Sequence, residues 1–300
     1  MKKNILVGQS GGPTAVINAS LYGIIKEAAA HSEQIGSVYG MINGIEGFLS
    51  GHIMDLSKEL SDEDLELLRL TPAAYLGSCR YKLPENLDAS VYTLLFEKFE
   101  QLNIGAVFYI GGNDSMDTAD KLSRWAAHNN KEISFIGVPK TIDNDIWGTD
   151  MTFGFHSALD IATHAIDCIH TTAASHSRIF IVEVMGHKTG WLTLHAGIAG
   201  GADVILLPEL PYDIHKVADA LKQRTENGKH FSILAVAEGA ISKEDAALTR
   251  SEYKKKKSKN TCPSIAYEIA DQLAAETGQE VRITIPGHTQ RGGSPNAYDR

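Results

Sequence analysis

The sequence is poor in cysteine and has no long apolar run. Its three cysteines, Cys79, Cys168 and Cys262, lie far apart and form no Cys-x-x-Cys pair, so neither a disulfide framework nor a thiolate metal site is expected. No apolar stretch approaches the roughly 20 residues that a membrane span needs, and the amino terminus leads into a strand pattern rather than a signal peptide. These absences predict a cytoplasmic protein with no membrane partner.

Positive charge is also scarce. The chain has 28 Lys and Arg residues against 37 Asp and Glu residues, which gives a formal net charge of −9. This balance argues against a general nucleic-acid binder, and we predict no nucleic-acid partner. The four consecutive lysines Lys254–Lys257 lie in a polar stretch, 242–261, which we interpret as a solvated loop.

What the sequence does contain is a regular alternation of strand and helix patterns. Short apolar runs such as 4–7, 104–110 and 178–184 are each followed by a loop and, further along, by a helix pattern. This order is typical of parallel sheets with helical crossovers. It predicts an α/β fold with two doubly wound, Rossmann-like units and mostly parallel sheets.

Two of the predicted strands end in a glycine loop that precedes a helix. The strand 4–7 is followed by Gly8–Thr14, and the strand 104–110 is followed by Gly111–Ser115. Such loops present backbone N–H groups at the amino end of a helix and can bind phosphate. A plain tight turn is an equal alternative for the first loop, whose spacing matches neither the dinucleotide fingerprint nor the P-loop.

The stretch Pro139–Asp145 follows the predicted strand 133–138 and should lie at that strand's carboxyl end, where open α/β sheets bind their ligands. Asp143 and Asp145 flank one asparagine, and Lys140 precedes them. Together they could supply a base for an attacking hydroxyl, a carboxylate for a metal ion and a cation for phosphate. A solvated turn is the alternative interpretation of the same residues.

Six motifs follow one another along the chain: Ser10-Gly11-Gly12, Gly77-Ser78-Cys79-Arg80, Gly111-Gly112-Asn113-Asp114-Ser115, Thr141-Ile142-Asp143-Asn144-Asp145, Glu183-Val184-Met185-Gly186 and Gly287-His288-Thr289-Gln290-Arg291-Gly292-Gly293-Ser294. In this order they resemble the phosphofructokinase family, from Ile5 to Arg300. The family phosphorylates the 1-hydroxyl of fructose 6-phosphate in glycolysis, with Mg²⁺ and either ATP or pyrophosphate. The resemblance therefore implies the phosphofructokinase fold, a phosphotransferase activity and a Mg²⁺ cofactor.

The resemblance also implies a role for each matching residue. Asp143 matches the general base that accepts the sugar hydroxyl proton, Thr141 supports the transferred phosphoryl group, and Asp145 and Asn113 match the metal region. The positions that match the donor site are Gly11, Gly12, Arg80, Gly112, Asp114 and Lys140. The positions that match the sugar-phosphate site are Arg178, Met185, Gly186, Glu238, Arg282, His288 and Arg291.

By the same resemblance, residues 1–148 plus about 288–300 form a phosphate-donor domain, and 149–287 form a sugar-phosphate domain. In bacterial members of the family, the residues that match Arg178 and Arg282 reach in from a neighbouring subunit. A homodimer or homotetramer with shared sugar-phosphate sites is therefore expected.

Two positions bear on the identity of the donor. ATP-using bacterial members have glycine where this chain has Asp114 and Lys140. A carboxylate at the first position would intrude on a nucleotide's α-phosphate, and a lysine at the second can neutralise pyrophosphate. Both features resemble the pyrophosphate-dependent branch of the family. We therefore expect transfer between pyrophosphate and fructose 6-phosphate, which is reversible because the donor and product phosphates are of comparable energy. The alternatives are an ATP-dependent phosphofructokinase and a non-catalytic, sugar-phosphate-binding regulatory subunit.

Other positions depart from the family pattern. Asn113 replaces an aspartate that commonly contacts Mg²⁺, so we expect the ion to depend on Asp145 and the phosphates. His187 replaces a frequent arginine. Tyr22 replaces an effector-site arginine, although Lys26 is compatible with such a site, so allosteric control of that kind is not expected. The family also continues past the point where this chain ends, as expected for a chain shortened at that end.

Overall fold

The structure is a computed structural model that describes residues 2–259 and 261–300. The chain divides into two compact units. The first contains the residues up to Ser157 together with Arg291–Arg300, and the second contains Ala158–Gln290. No helix in the described part of the chain is long and apolar enough to cross a membrane.

The sheet of the first unit has five strands: β1 (Lys3–Gln9), β2 (Ile35–Met41), β3 (Ile53–Asp55), β4 (Ile104–Gly111) and β5 (Ser134–Pro139). Their order is β3-β2-β1-β4-β5, and the neighbouring pairs are parallel except for β2 and β3. The chain therefore reverses its direction of winding between β1 and β4. The carboxyl ends at such a switch point are where doubly wound sheets bind ligands.

Helices cover both faces of this sheet because its strands alternate between two apolar clusters. Ile5 and Val7 pack with Leu21 in one buried cluster, whereas Leu6 packs with Phe99 in the other. The helices of the unit are α1 (Ile17–Ala30), α2 (Gly44–Leu49), α3 (Leu56–Glu59), α4 (Asp62–Leu70), α5 (Ser90–Gln101), α6 (Asn113–His128) and the start of α7 (Phe155–His176).

The second unit contains an all-parallel sheet of four strands: β6 (Ile179–Val184), β7 (Val204–Leu206), β8 (Ser232–Ala237) and β9 (Val281–Thr284), in the order β7-β8-β6-β9. Every residue of β6 and β8 is buried, as expected for central parallel strands. The remaining helices are α8 (Trp191–Ala199), α9 (Ile214–Glu226), α10 (Lys243–Ala246), α11 (Arg250–Lys259), α12 (Ile265–Thr277) and a 3₁₀ helix (Gly287–Arg291).

The predicted α/β class with mostly parallel sheets is confirmed. The interpretation of the lysine run as a loop is wrong, because Lys254–Lys257 lie within α11. Lysine has a good intrinsic helix propensity, and Lys256 also forms an ion pair with Asp245, at 2.5 Å. Asn260, in the same polar stretch, lies outside the described residues.

Candidate active site

Three loops leave the carboxyl ends of the adjacent strands β1, β4 and β5, and they carry most of the predicted donor and catalytic residues. The loop after β1 contains Gly11 and Gly12, α6 begins directly after Gly112, and the loop after β5 begins at Lys140. Because the strands are neighbours in the sheet, the three loops lie at one edge. The sheet order thus brings together sequence motifs that are more than 100 residues apart in the chain.

The first glycine loop is fixed to the segment that contains Arg80. Gly11 has a positive φ of 75°, which favours glycine, and its N–H donates to the carbonyl oxygen of Cys79 at 3.3 Å. The Ser78 hydroxyl donates to the carbonyl oxygen of Gly11 at 2.6 Å. The exposed Arg80 side chain therefore emerges beside the loop.

Lys140 and Arg291 place two cations against the same glycine loop. The Lys140 side chain is only 2% exposed, and its ammonium donates to the carbonyl oxygen of Gly12. A Cβ atom at Gly12 would lie 2.7 Å from Nη1 of Arg291, so the guanidinium packs directly against this glycine. Burial, and then repulsion by Arg291, lower the pKa of Lys140 to about 8, although Asp143 acts in the opposite direction. Two close cations of this kind are stabilised by a bound anion.

The loop after β5 holds Asp143 in a hydrogen-bonded turn. The backbone N–H of Asp143 donates to the hydroxyl oxygen of Thr141 at 3.1 Å. Asn144 has a φ of 53°, and its Oδ1 accepts the N–H of Thr152 at 2.9 Å. The Thr152 hydroxyl donates to the carbonyl oxygen of Thr141 at 2.8 Å and closes the loop. The Asp143 carboxylate is thereby carried on a backbone with little freedom.

Asp145 and Asn113, the two residues predicted for the metal region, contact each other directly. Nδ2 of Asn113 donates to Oδ2 of Asp145 at 2.8 Å, so the amide orients the carboxylate. Among the described residues, no group of three or more histidine, cysteine, aspartate or glutamate side chains could hold a metal ion. Mg²⁺ commonly binds one or two carboxylates together with substrate phosphates, so a single oriented carboxylate fits this ion.

Asp114, which is predicted for the donor site, forms an ion pair that the sequence did not reveal. Lys82 Nζ lies 2.9 Å from Asp114 Oδ1, at the first turn of α6, and both side chains are largely exposed. No motif includes Lys82, which lies two residues after Arg80 and 32 before its partner.

The second unit has its own polar cluster at the carboxyl ends of β6 and β8. Oε1 of Glu238 accepts the backbone N–H groups of Gly186, at 3.2 Å, and His187, at 2.6 Å. Gly186 has a φ of 150°, and a Cβ atom there would lie 2.5 Å from the carbonyl oxygen of Thr189. Three predicted sugar-phosphate residues, Met185, Gly186 and Glu238, are therefore neighbours in space.

Arg178 and Arg282, which are also predicted to bind the sugar phosphate, lie at the opposite end of the same sheet. Arg178 precedes β6, and Arg282 pairs in register with Phe180 near the start of that strand. Both guanidinium groups contact the carboxylate of Glu280. At about 3.3 Å per residue, roughly 20 Å separates these arginines from Glu238 within one chain.

The remaining predicted positions lie on other elements. His288 is exposed in the 3₁₀ helix. Tyr22 donates its hydroxyl to Glu66 at 2.7 Å, and the Arg69 guanidinium lies 5.8 Å from the ring centroid. Lys26 Nζ lies 3.5 Å from Asp62 Oδ1. Tyr22 and Lys26 of α1 thus both contact acidic side chains of α4.

The family model and the known proteins that resemble this chain all point to one family. The sequence model of the family described as Phosphofructokinase matches residues 4–300. The chain is 42% identical to the protein of Spirochaeta thermophila named ATP-dependent 6-phosphofructokinase, covering 97% of this chain and 78% of that protein. It is 38% identical to the protein of Amycolatopsis methanolica named pyrophosphate–fructose 6-phosphate 1-phosphotransferase, covering 100% of this chain and 83% of that protein.

A solved structure is similar over nearly the whole chain. The crystal structure of a pyrophosphate-dependent phosphofructokinase from Marinobacter aquaeolei superposes with a TM-score of 0.84 at 34% identity. The match covers 99% of this chain and 72% of that one. The named relatives thus agree on the sugar that is phosphorylated and differ in the donor.

Proposed function

The chain belongs to the phosphofructokinase family and is a fructose-6-phosphate 1-phosphotransferase of that family, and from this premise we propose that its donor is pyrophosphate. The reaction moves a phosphoryl group from pyrophosphate to the 1-hydroxyl of fructose 6-phosphate and releases fructose 1,6-bisphosphate and phosphate. It is reversible, because the donor and the product phosphates are of comparable energy.

The buried cation of Lys140 is the observation that carries this proposal. Pyrophosphate has no nucleoside, so its binding depends on charge and hydrogen bonds at the phosphates themselves. Lys140 supplies charge and the backbone of Gly11 and Gly12 supplies hydrogen bonds within one loop region. Arg291, which was predicted for the sugar-phosphate site, lies against the same loop and adds a second cation there. Burial lowers the pKa of Lys140 in the free protein, and an anion bound beside the lysine stabilises its charged form and offsets that effect.

The other residues of this edge would serve the transfer itself. Asp143 accepts the proton of the sugar hydroxyl as it attacks, and Thr141 supports the transferred group. Asp145, oriented by Asn113, would hold Mg²⁺ together with phosphate oxygens. The bound ion would neutralise the charge that develops on the phosphoryl group. In the second unit, Glu238, Met185, Gly186 and His288 would bind the sugar phosphate.

We also propose a homo-oligomer in which Arg178 and Arg282 bind the 6-phosphate in the site of a neighbouring subunit. Within one chain they lie at the end of the sheet away from Glu238. Arg178 and Arg282 therefore cannot reach a phosphate that is bound near Glu238 of the same chain. They could contact it only from another copy of the chain.

The second candidate donor is ATP. It is favoured by the 42% identity to a relative that is named ATP-dependent. In that case Asp114 and Lys140 would have to leave space for a nucleotide. The Lys140 cation would then bind phosphates of ATP in place of pyrophosphate.

Assays with each donor, in both directions, test the proposal. We expect turnover with pyrophosphate and little with ATP. The double variant Asp114→Gly, Lys140→Gly should lose pyrophosphate use and gain ATP use. The matched variant Asp88→Gly, Lys131→Gly removes one charge of each sign elsewhere in the first unit and should leave the preference unchanged. Strong ATP turnover of the unaltered protein without pyrophosphate turnover would overturn the proposal.

The pH dependence should report the charge of Lys140. Because its pKa in the free protein is about 8, below the ordinary 10.5, the charged form destabilises the fold by roughly 3 kcal/mol at neutral pH, and this cost disappears as pH rises from about 8 to 10.5. Pyrophosphate requires the charged form, so the KM for pyrophosphate should rise above pH 8 by up to about tenfold per pH unit. Lys140→Met should show a high KM and no such rise. An unchanged KM between pH 7 and 9.5 in the unaltered protein would contradict this role.

A further inference from the structure

The ion pair between Lys82 and Asp114 raises a question about how Asp114 could favour pyrophosphate. The donor carries several negative charges, and a bare carboxylate in its site would repel it. Lys82 Nζ, 2.9 Å from Asp114 Oδ1, cancels that charge locally. The carboxylate also holds the ammonium at the first turn of α6, directly after the second glycine loop.

The residues that directly follow Lys82 are held in place by contacts with buried groups. The Leu83 side chain is buried in the core of the first unit, and its carbonyl oxygen accepts a hydrogen bond from Lys121 at 3.2 Å. The Lys121 side chain is only 2% exposed. The buried Tyr92 donates its hydroxyl to the carbonyl oxygen of Pro84 at 2.6 Å. The chain beyond Lys82 is therefore fixed against α5 and α6.

The same segment is fixed on its amino side by the first glycine loop. Cys79 accepts the Gly11 N–H, and Ser78 donates to the Gly11 carbonyl oxygen. Arg80 and Lys82 thus extend from a short stretch anchored at both ends. An exposed ion pair contributes little by itself, but a braced backbone reduces the ordering cost when a polyanion binds to these side chains.

We propose that Lys82 binds the pyrophosphate donor and that Asp114 acts by positioning Lys82, so that the ion pair rather than the lone carboxylate determines donor choice. This inference rests on the proposed pyrophosphate function. It assigns Lys82 a direct contact with a donor phosphate and Asp114 an indirect role.

The two possible roles of Asp114 predict opposite effects of removing its charge. If Asp114 acted on the donor through its own charge, Asp114→Asn would relieve repulsion and lower the KM for pyrophosphate. If it positions Lys82, the same variant frees the ammonium and raises that KM. The amide keeps the size of the side chain, so the sign of the change separates the two roles.

Steady-state kinetics with pyrophosphate test the contact. Lys82→Met should raise the KM for pyrophosphate about tenfold, with kcat and the KM for fructose 6-phosphate within about twofold, because one charge-assisted contact is lost. Lys82→Arg should stay within about threefold of the unaltered protein. The control Lys131→Met removes a lysine from another ion pair, with Glu100, and should change nothing.

The double variant completes the test. If Asp114 acts through Lys82, then Lys82→Met, Asp114→Asn should be no worse than Lys82→Met alone. An unchanged KM for pyrophosphate in Lys82→Met, or a lower KM in Asp114→Asn, would overturn the role of Lys82 and leave the pyrophosphate donor intact. An unaltered protein without pyrophosphate turnover would instead overturn the donor assignment, and this proposal with it.

Discussion

Replacing the proposed base, Asp143→Ser, should lower kcat by roughly two to four powers of ten while leaving the binding of fructose 6-phosphate nearly unchanged. In the proposed mechanism the carboxylate accepts the proton of the attacking hydroxyl, and serine cannot do this at neutral pH. The measurement is kcat with saturating substrates, together with the dissociation constant of fructose 6-phosphate by calorimetry.

Several hydrogen bonds that hold this turn do not involve the Asp143 carboxylate. The turn is held by the backbone N–H of Asp143 and by the contacts of Thr141 and Thr152, none of which requires the carboxylate. Asn144, the residue with positive φ, is not altered. An unchanged thermal unfolding midpoint would show that a loss of turnover reports the missing base rather than a collapsed loop.

Asp150→Ser is the matched control for this experiment. Asp150 lies in the same loop, is exposed, and contributes its backbone carbonyl rather than its carboxylate to the contact with Asn144. Its replacement should leave kcat within about twofold of the unaltered protein, as expected for a surface position. Equal losses in both variants would indicate that the loop as a whole, and not Asp143, controls turnover.

A non-catalytic regulatory subunit would give a different result. Such a protein would bind fructose 6-phosphate without turnover, and Asp143→Ser would change neither property. The oriented pair of Asp145 and Asn113 and the buried Lys140 argue for a catalytic protein, because a subunit that only binds sugar has no need of a phosphate-donor edge.

The fold was largely predictable because its central strands are long apolar runs with glycine loops at their ends. The elements that were missed have local reasons. The antiparallel strand β3 has only three residues, which are too few to show the alternation of apolar and polar residues that indicates a strand. Helix α8 contains Gly197, and glycine disfavours helices. A Cβ atom there would lie 2.8 Å from Cδ1 of Ile205 and 3.1 Å from Cβ of Ala235, so the glycine lets the helix pack closely on the sheet.

The candidate site was predictable only at positions to which the family resemblance assigns a role. Lys82, Lys121 and Glu280 belong to no motif, and each acts through a partner that is distant in sequence or through a backbone carbonyl. Charge pairs of this kind depend on the tertiary arrangement, since many other lysines and glutamates have the same local sequence properties. The pairing of Arg178 with Arg282 on one glutamate likewise follows from the register of β6 with β9.

Mixing two inactive variants should restore activity if the arginines act across a subunit interface. Arg178→Ala and Glu238→Gln should each lower activity on the order of 100-fold, because each loses a charged contact to the sugar phosphate. In hetero-oligomers, a site that combines Glu238 of one chain with Arg178 of the other is unaltered. Co-expression of the two variants, without selection of the mixed oligomers, should therefore yield about one quarter of the unaltered activity, because half of the pairs are mixed and half of their sites are intact.

The matched control mixes Arg178→Ala with Arg282→Ala. Both arginines contact Glu280, so one chain supplies both of them to a given site. Every site in this mixture therefore lacks one of the two arginines. This pair should stay inactive, whereas the first pair recovers. If each site were built from a single chain, neither mixture would recover, because every site would contain one altered residue. Recovery in the first mixture alone would thus locate the arginines in the neighbouring subunit's site, in agreement with the roughly 20 Å that separates them from Glu238 at about 3.3 Å per residue.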